Sequence, residues 1–319
     1  MVSSCKRAIF EENWSAPGHF CQICSTPDYF KRVIVMSECY GNFFIVNGEL
    51  TPSALFKNSD VYEGEAVYEV IRMINGLPLF FEDHISRLEQ SVRHTGREMD
   101  LSPSTLARDL IRLKKEAGIR EANLKIVLNY KRDNKLTALL YFIEPLYPTQ
   151  QQYREGVRTV LYEAERRRPE IKLINHRLRS SIYHKLIAEN AYEAILVNSS
   201  GEITEGSRSN LFFVKDETLH TAPDNMVLGG ITRKHILELC GENNIEVVNK
   251  AVKREMVTHF DSLFMTGTSP MVLPVRYIDN IGYKVNNSLV NRVKTLYEER
   301  VKSNLTDFAK KWLKRSENG

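Results

Sequence analysis

Long hydrophobic runs are missing from this 319-residue sequence. None approaches the roughly 20 apolar residues of a membrane-spanning helix. The opening Met1-Val-Ser-Ser-Cys-Lys6 lacks the apolar centre of a secretory leader. Cysteine is scarce: Cys5, Cys21, Cys24, Cys39 and Cys240 are scattered and odd in number. That pattern argues against a disulfide scaffold and suits free thiols in a reducing cytoplasm. Cys21-Gln-Ile-Cys24 has the spacing of half a zinc site or a redox pair. No second half follows it and no strand–helix pattern surrounds it, so the pair reads as incidental and no metal is expected. A charge excess is missing too: 44 basic residues face 40 acidic ones, and a net of +4 gives no footprint for nucleic acid. Repeats are absent.

What is present is an ordinary balance of 42% hydrophobic and 26% charged residues, on a chain long enough for two modest cores. Residues 1–40 carry no sustained period and read as an irregular extension, with Met36 a candidate native start. From there strands and helices mix without strict alternation. Strands are expected over 43–48 and 67–73. Asn75-Gly76 marks a hairpin turn, and a helix is expected from Glu82 to Val92, with apolar residues at Ile85, Leu88 and Val92. Ser102, Pro103 and Gly118 bracket a second helix as cap, first turn and stop. A second hairpin, 124–130 with 136–143, turns at Asp133-Asn134.

The pattern predicts an α+β fold in two domains. A small N-terminal α/β domain covers 41–146, a linker 147–153, and a larger domain with an antiparallel or mixed, barrel-like core 154–319. The basic run Arg166-Arg-Arg168 is short and reads as a solvated loop. A helix is expected soon after Arg179, ending near Asn190. Further elements are a helix over 231–239, strands over 245–248, 262–265 and 271–275, and a long amphipathic C-terminal helix.

The densest stretch runs from Lys172 to Arg233. Two apolar runs, Ala194-Ile-Leu-Val197 and Leu211-Phe-Phe-Val214, flank a polar segment that contains Glu205. A carboxylate close to packed strands needs a positive partner. Lys172 lies upstream, and Gly229-Gly-Ile-Thr-Arg233 opens a helix downstream. An amine, an acid and a glycine-led helix start could together hold a phosphorylated, cationic ring that bears an aldehyde.

These residues resemble the fold-type IV aminotransferases that depend on pyridoxal 5'-phosphate. That group includes branched-chain and D-amino-acid aminotransferases and aminodeoxychorismate lyase. The likeness covers about Asn47 to Asp279 and rests on segments in the family's order. They are Asp83-His-Ile-Ser-Arg-Leu88, Glu170-Ile-Lys172, Tyr192-Glu-Ala-Ile-Leu196 with Gly201–Phe212, Gly230-Ile-Thr-Arg233, and Thr266-Gly-Thr268 with Pro274-Val275.

The resemblance implies a role for each matched residue. Lys172 would bond the cofactor's aldehyde and move protons; by itself it would pass for a surface lysine. Glu205 would face the ring nitrogen and keep it protonated; otherwise it is a strand acid paired with Arg208. Arg87 would bind the phosphate; otherwise it is a helix-surface partner of Asp83. Ile231 and Thr232 at the helix start, and Gly267 and Thr268 in a small turn, would offer further phosphate donors. Leu228 would pack against the ring.

Departures from the family fall at the substrate side. The tyrosine that D-specific relatives use for carboxylate capture is Val61 here, beside Tyr62. Their Arg-x-His has become Asn129-Tyr-Lys-Arg132. The tyrosine of branched-chain enzymes five residues after the lysine is Arg177. The resemblance therefore implies a cytoplasmic, homodimeric transaminase acting on small amino and keto acids, with an apolar L-amino acid as the favoured donor. The alternatives are a D-amino-acid aminotransferase, a carbon–carbon lyase on the same cofactor, and a non-catalytic cofactor-binding protein. Retention of both lysine and acid disfavours the last.

Overall fold

The computed structural model describes residues 37–131, 135–166 and 168–313; for His176 and Arg177 only the backbone is described. The expected N-terminal arm with Cys21, Cys24 and Met36, the Asp133-Asn134 turn and Arg167 lie outside these residues. From Cys39 onward the chain forms one compact unit built on two sheets.

The first sheet starts with β1 (Tyr40–Val46) and β2 (Glu49–Pro52), followed by a short helix, α1 (Asn58–Tyr62). Next come β3 (Glu65–Ile74) and β4 (Leu77–Pro78), helices α2 (Phe81–His94) and α3 (Pro103–Ala117), then β5 (Ala122–Tyr130) and β6 (Leu136–Ile143). The six strands lie in the order β2-β1-β6-β5-β3-β4, with antiparallel neighbours throughout. Asn75 and Gly76 both adopt positive φ, which the tight β3–β4 turn requires. α3 begins where Ser102 accepts the Thr105 N–H and ends at Gly118 in the left-handed region, so both of its ends are set by local chemistry.

Alternation along β3 decides which face does what. Val67, Ile71 and Met73 point into a core shared with Phe81, Ile85, Leu88 and Val92 of α2. Burying each such side chain is worth about 1.5–3 kcal/mol. Tyr68 and Val70, on the other face, line a cavity.

The stretch expected to be a linker contains a helix, α4 (Gln150–Glu155). It is started by a reciprocal cap between Thr149 and Gln152. Then follow β7 (Val157–Glu163), α5 (His176–Ala188), β8 (Glu193–Val197), β9 (Glu202–Gly206), β10 (Asn210–Lys215) and β11 (Thr218–Thr221). After α6 (Ile231–Glu242) come β12 (Val247–Asn249), β13 (Val252–Lys253), β14 (Ser262–Gly267), β15 (Met271–Ile278), β16 (Ile281–Gly282) and α7 (Ser288–Phe308). The second sheet runs β12-β11-β10-β14-β15-β7-β8-β9-β13, with β16 on β15. It is mixed: β7 pairs in parallel with β8 and β15, while β10 is antiparallel to β11 and β14.

The apolar runs at 194–197 and 211–214 lie in β8 and β10, and the segment between them adds a strand, β9, which pairs back on β8. One expectation needs correction: α5 starts earlier than expected, because Asn175 accepts the Leu178 N–H and caps it. Arg179 consequently lies in its first turn. Among the described residues no helix is long and apolar enough to cross a membrane.

Candidate active site

A cavity of about 300 Å³ opens where the inner face of β3 meets β9, β14 and the start of α6. Arg87, Lys172, Glu205, Leu228, Ile231, Thr232, Gly267 and Thr268, each singled out from the sequence, all contribute to its wall.

Glu205 lies in β9 with only 3% of its surface exposed. Its Oε2 accepts the Leu228 N–H at 3.1 Å. Arg166 Nε lies 2.7 Å from Oε1, yet neither atom has a hydrogen bond, because the approach is off the donor direction. Burial raises the Glu205 carboxyl above its ordinary value; Arg166, the Leu228 N–H and Lys172 offset this only in part. The partner is thus Arg166 and not Arg208. Arg208 instead lies 3.7 Å from the buried Glu193. Arg166 in turn is no solvated loop residue: it reaches the cavity and donates to the Ser207 carbonyl at 2.8 Å.

Lys172 sits in the segment between β7 and α5, laid against β3. Tyr68 N–H donates to the Lys172 carbonyl, Ile174 N–H to that of Ala66, and Val67 bridges to Leu173. Burial pulls the Lys172 amine below its ordinary value, and Tyr68 opposes this more than any other neighbouring charge.

Arg87, on α2, forks onto the fully buried Glu69: Nε and one terminal nitrogen each donate at 2.7 Å. Its other terminal nitrogen donates to the Gly229 carbonyl at 2.8 Å. Asp83 turns away to Lys234 and His235, so the alternative, an Arg87–Asp83 pair on the helix surface, does not form. Three of the five guanidinium N–H groups are engaged, which leaves two for a ligand. At the start of α6, Gly230 is the capping residue and no side chain caps the first turn. Free N–H groups at a helix start are donors that an anion can use, and Arg87 reaches the Gly229 carbonyl beside them. Thr268 Oγ1 donates to the Val70 carbonyl at 3.2 Å, Arg72 to that of Ser269 at 2.8 Å, and Asn123 to Ser269 Oγ at 2.9 Å. These bonds tie the 266–270 turn to the first sheet.

At the substrate-side departures, Val61 is fully buried in core and is not among the cavity's lining residues. Asn129 spends its amide on the Asp60 and Glu63 carbonyls. Arg132 lies outside the described residues.

Sequence reasoning missed Arg166, Tyr68, Asn123 and Arg179 as cavity residues. Only Tyr68 had a readable signal, the alternation of β3. The others reach the site through tertiary packing.

A cavity with an amine on one wall, a buried acid on another and an uncapped helix start invites comparison with known proteins. The family profile described as amino-transferase class IV matches residues 66–278. This chain belongs to the class IV aminotransferase family. It is 31% identical over 255 residues to a D-alanine aminotransferase of Bacillus licheniformis, covering 75% of this chain and 89% of that protein. It is 23% identical over 254 residues to an aminodeoxychorismate lyase of Bacillus subtilis, 75% of this chain and 87% of that one. Its fold matches the crystal structure of a T.th. branched-chain amino acid aminotransferase with pyridoxamine 5'-phosphate. The TM-score is 0.75 at 23% identity, over 86% of this chain and 98% of that one. The fold is therefore the α+β arrangement of fold type IV, and the chain is an enzyme of a family that works with pyridoxal phosphate.

Proposed function

We propose that this class IV aminotransferase binds pyridoxal 5'-phosphate in the cavity described above and exchanges amino groups between an α-amino acid and an α-keto acid. The observation that carries this reading is the pairing of Lys172 with Glu205 on one cavity whose floor includes the uncapped start of α6. The residues present fit the cofactor. Glu205 Oε1 is buried and meets Arg166 Nε at 2.7 Å without a well-directed hydrogen bond, which leaves it acceptor capacity for a protonated ring nitrogen. Thr266 Oγ1 is a second buried polar atom on the wall that has no hydrogen bond.

When bound, pyridoxal phosphate supplies an aldehyde that bonds amines and a ring that withdraws electrons from the bonded carbon. The remaining work falls to this chain. Arg87, with the N–H groups of Ile231 and Thr232 and with Gly267-Thr268, would hold the phosphate. Leu228 would exclude water from the ring. Glu205 would accept the ring N–H, its charge keeping that proton in place. Lys172 is half-buried and held below its ordinary pKa, so its Nζ can carry a proton from one substrate carbon and return it elsewhere near neutral pH.

Val70, Ile143 and Leu146 give the cavity apolar wall, which favours an apolar donor side chain. An L-amino acid is the favoured donor, since the side chains that D-specific relatives use for carboxylate capture are replaced at Val61 and Asn129. Half-reaction spectroscopy tests the reading: L-leucine should convert the aldehyde form of the loaded enzyme to its amino form. Conversion by D-alanine alone would reverse the stereochemistry. Pyruvate release from aminodeoxychorismate, with no amino transfer from any amino acid, would replace the reaction class. The working form is proposed to be a homodimer in the cytoplasm.

A further inference from the structure

We infer that Asp83 is a positioning residue of this site: it clasps α2 to α6 and so sets the distance between Arg87 and the first turn of α6, the two groups proposed to hold the phosphate. The inference rests on the reading of the phosphate site given above.

The contact runs in register along two helices from different parts of the fold. Phe80, the capping residue of α2, then Asp83 and Arg87 follow one another at helical spacing and form one stripe. Each member of the stripe meets a residue at the start of α6, in reverse order. The Phe80 ring stacks on that of His235, with centroids 3.8 Å apart and planes 21° from parallel. Asp83 comes next: Oδ2 accepts from His235 Nε2 at 2.9 Å, and Oδ1 from Lys234 Nζ at 2.5 Å. Arg87 comes last and donates to the Gly229 carbonyl at 2.8 Å, just ahead of α6. Asp83 is thus the middle link, one turn before Arg87 on α2, and its partners lie one turn inside α6. The dipole favours an acid in the first turn of a helix whatever that acid touches. That preference alone does not call for two donors from another helix.

The parts of this clasp are held firmly. Phe80 and His235 are both buried. Phe80 has a φ of 51°, in the left-handed region that a bulky side chain rarely adopts. A residue keeps such a conformation only where its surroundings over-determine it. Here the His235 stack holds the ring, and Asn304 Oδ1 of α7 accepts the Phe80 N–H at 2.7 Å. His235 foremost, and then Lys234, keep the Asp83 carboxyl well below the usual carboxylate range despite its partial burial, so the clasp carries its charge at neutral pH. Arg87 by itself does not fix the spacing. Its bond to Gly229 ends on the residue before the cap of α6, whereas the first-turn N–H groups move with the body of the helix, which Asp83 grips. Donors to a ligand work only when held within about 0.5 Å of their productive places.

The test compares the binding of pyridoxal phosphate with that of pyridoxal, which lacks the phosphate. Both are measured on the purified full-length protein and its variants, with thermal melts as a folding control. Asp83→Asn keeps the shape and removes the charge. It should weaken pyridoxal phosphate binding about tenfold, a usual size for coupling within one network, and leave pyridoxal binding unchanged. Asp83→Glu, which keeps the charge, should recover part of that loss. Should Asp83→Asn fail to fold, Lys234→Met, whose side chain is half exposed, should show the same split between the two ligands. Equal pyridoxal phosphate binding in parent and Asp83→Asn would overturn the clasp. So would equal losses for both ligands, or an Asp83→Glu that binds no better than Asp83→Asn. Failure of the underlying reading looks different: pyridoxal phosphate and pyridoxal would bind the parent protein equally well, which would remove the phosphate site and the clasp's role with it.

Discussion

At the scale of single residues, the site pairs each charge with a definite partner, and those partners set what a substitution does. Borohydride reduction with pyridoxal phosphate followed by peptide mapping should put the label on Lys172; a label on Lys185, which is salt-bridged to Glu189 on the surface, would refute the assignment. Glu205→Gln keeps the volume and removes the charge that Arg166 faces. Cofactor should stay bound while turnover drops about 100-fold, within the range of a lost proton-handling group; an unchanged rate would remove Glu205 from the chemistry. Arg87→Ala is less simple than its sequence position suggests. A charge-assisted bond to phosphate is worth about 1.5–3 kcal/mol, or one to two decades of cofactor affinity. The same change also strands Glu69, whose carboxylate is fully buried. The clean comparison is therefore Arg87→Ala with Glu69→Gln against Glu69→Gln alone, with cofactor dissociation constants measured for both. Equal constants would mean that Arg87 serves the fold only.

Elements position these residues, and their stability should show in two measurements. The Arg87–Glu69–His84 cluster pins α2 to β3. Burial opposes ionisation of Glu69, yet the Arg87 fork and His84 hold its carboxyl well below the usual range. A depressed acid of this kind stabilises the fold fully above the unfolded value of about 4.3, and the contribution fades as pH falls toward the folded value. Glu69→Ala should cost about 3 kcal/mol in denaturant unfolding at neutral pH, because the largely buried guanidinium is left without its counter-charge. That deficit should shrink as the solution is acidified. A deficit that stays constant down to strong acid would exclude the ion pair as its source. At the start of α6, a Cβ on Gly230 would overlap Asn210 Oδ1, and Asn210 is held because its amide donates to the Leu228 carbonyl. Much of this framework was legible in the sequence. Ser102, Gly118 and the Asn75-Gly76 turn act locally, so α3 and the β3–β4 turn could be read directly. The Thr149–Gln152 cap of α4 was equally local and was passed over among turn residues. β9 pairs with the preceding β8 across the short turn at 198–201, but its mostly polar residues give no apolar run to read as a strand. Arg166 was hidden too: a run of three arginines reads as solvated until the fold brings Glu205 beside it.

At the scale of the whole molecule, the surface leaves something uncovered. Leu146 lies at the cavity, yet 60% of it is exposed in the single chain. Tyr183 and Ile187, one turn apart on α5, are 54% and 58% exposed, and Leu55 is 62% exposed. A lone exposed leucine needs no explanation, but Leu146 at a ligand cavity and the Tyr183–Ile187 pair on α5 mark surface that association would bury. Symmetric pairs are the commonest oligomers. A partner lying over Leu146 would also close the cavity to water, which strengthens every charge interaction inside it. Light scattering should accordingly give twice the 36.8 kDa chain mass. Because closure of the cavity ties assembly to chemistry, dilution should lower specific activity in step with dimer dissociation. Leu146→Lys should weaken both together, with the far-ultraviolet spectrum unchanged. A monomer that retains full activity at all concentrations would sink the dimer, and a dimer whose activity ignores Leu146→Lys would separate assembly from the site.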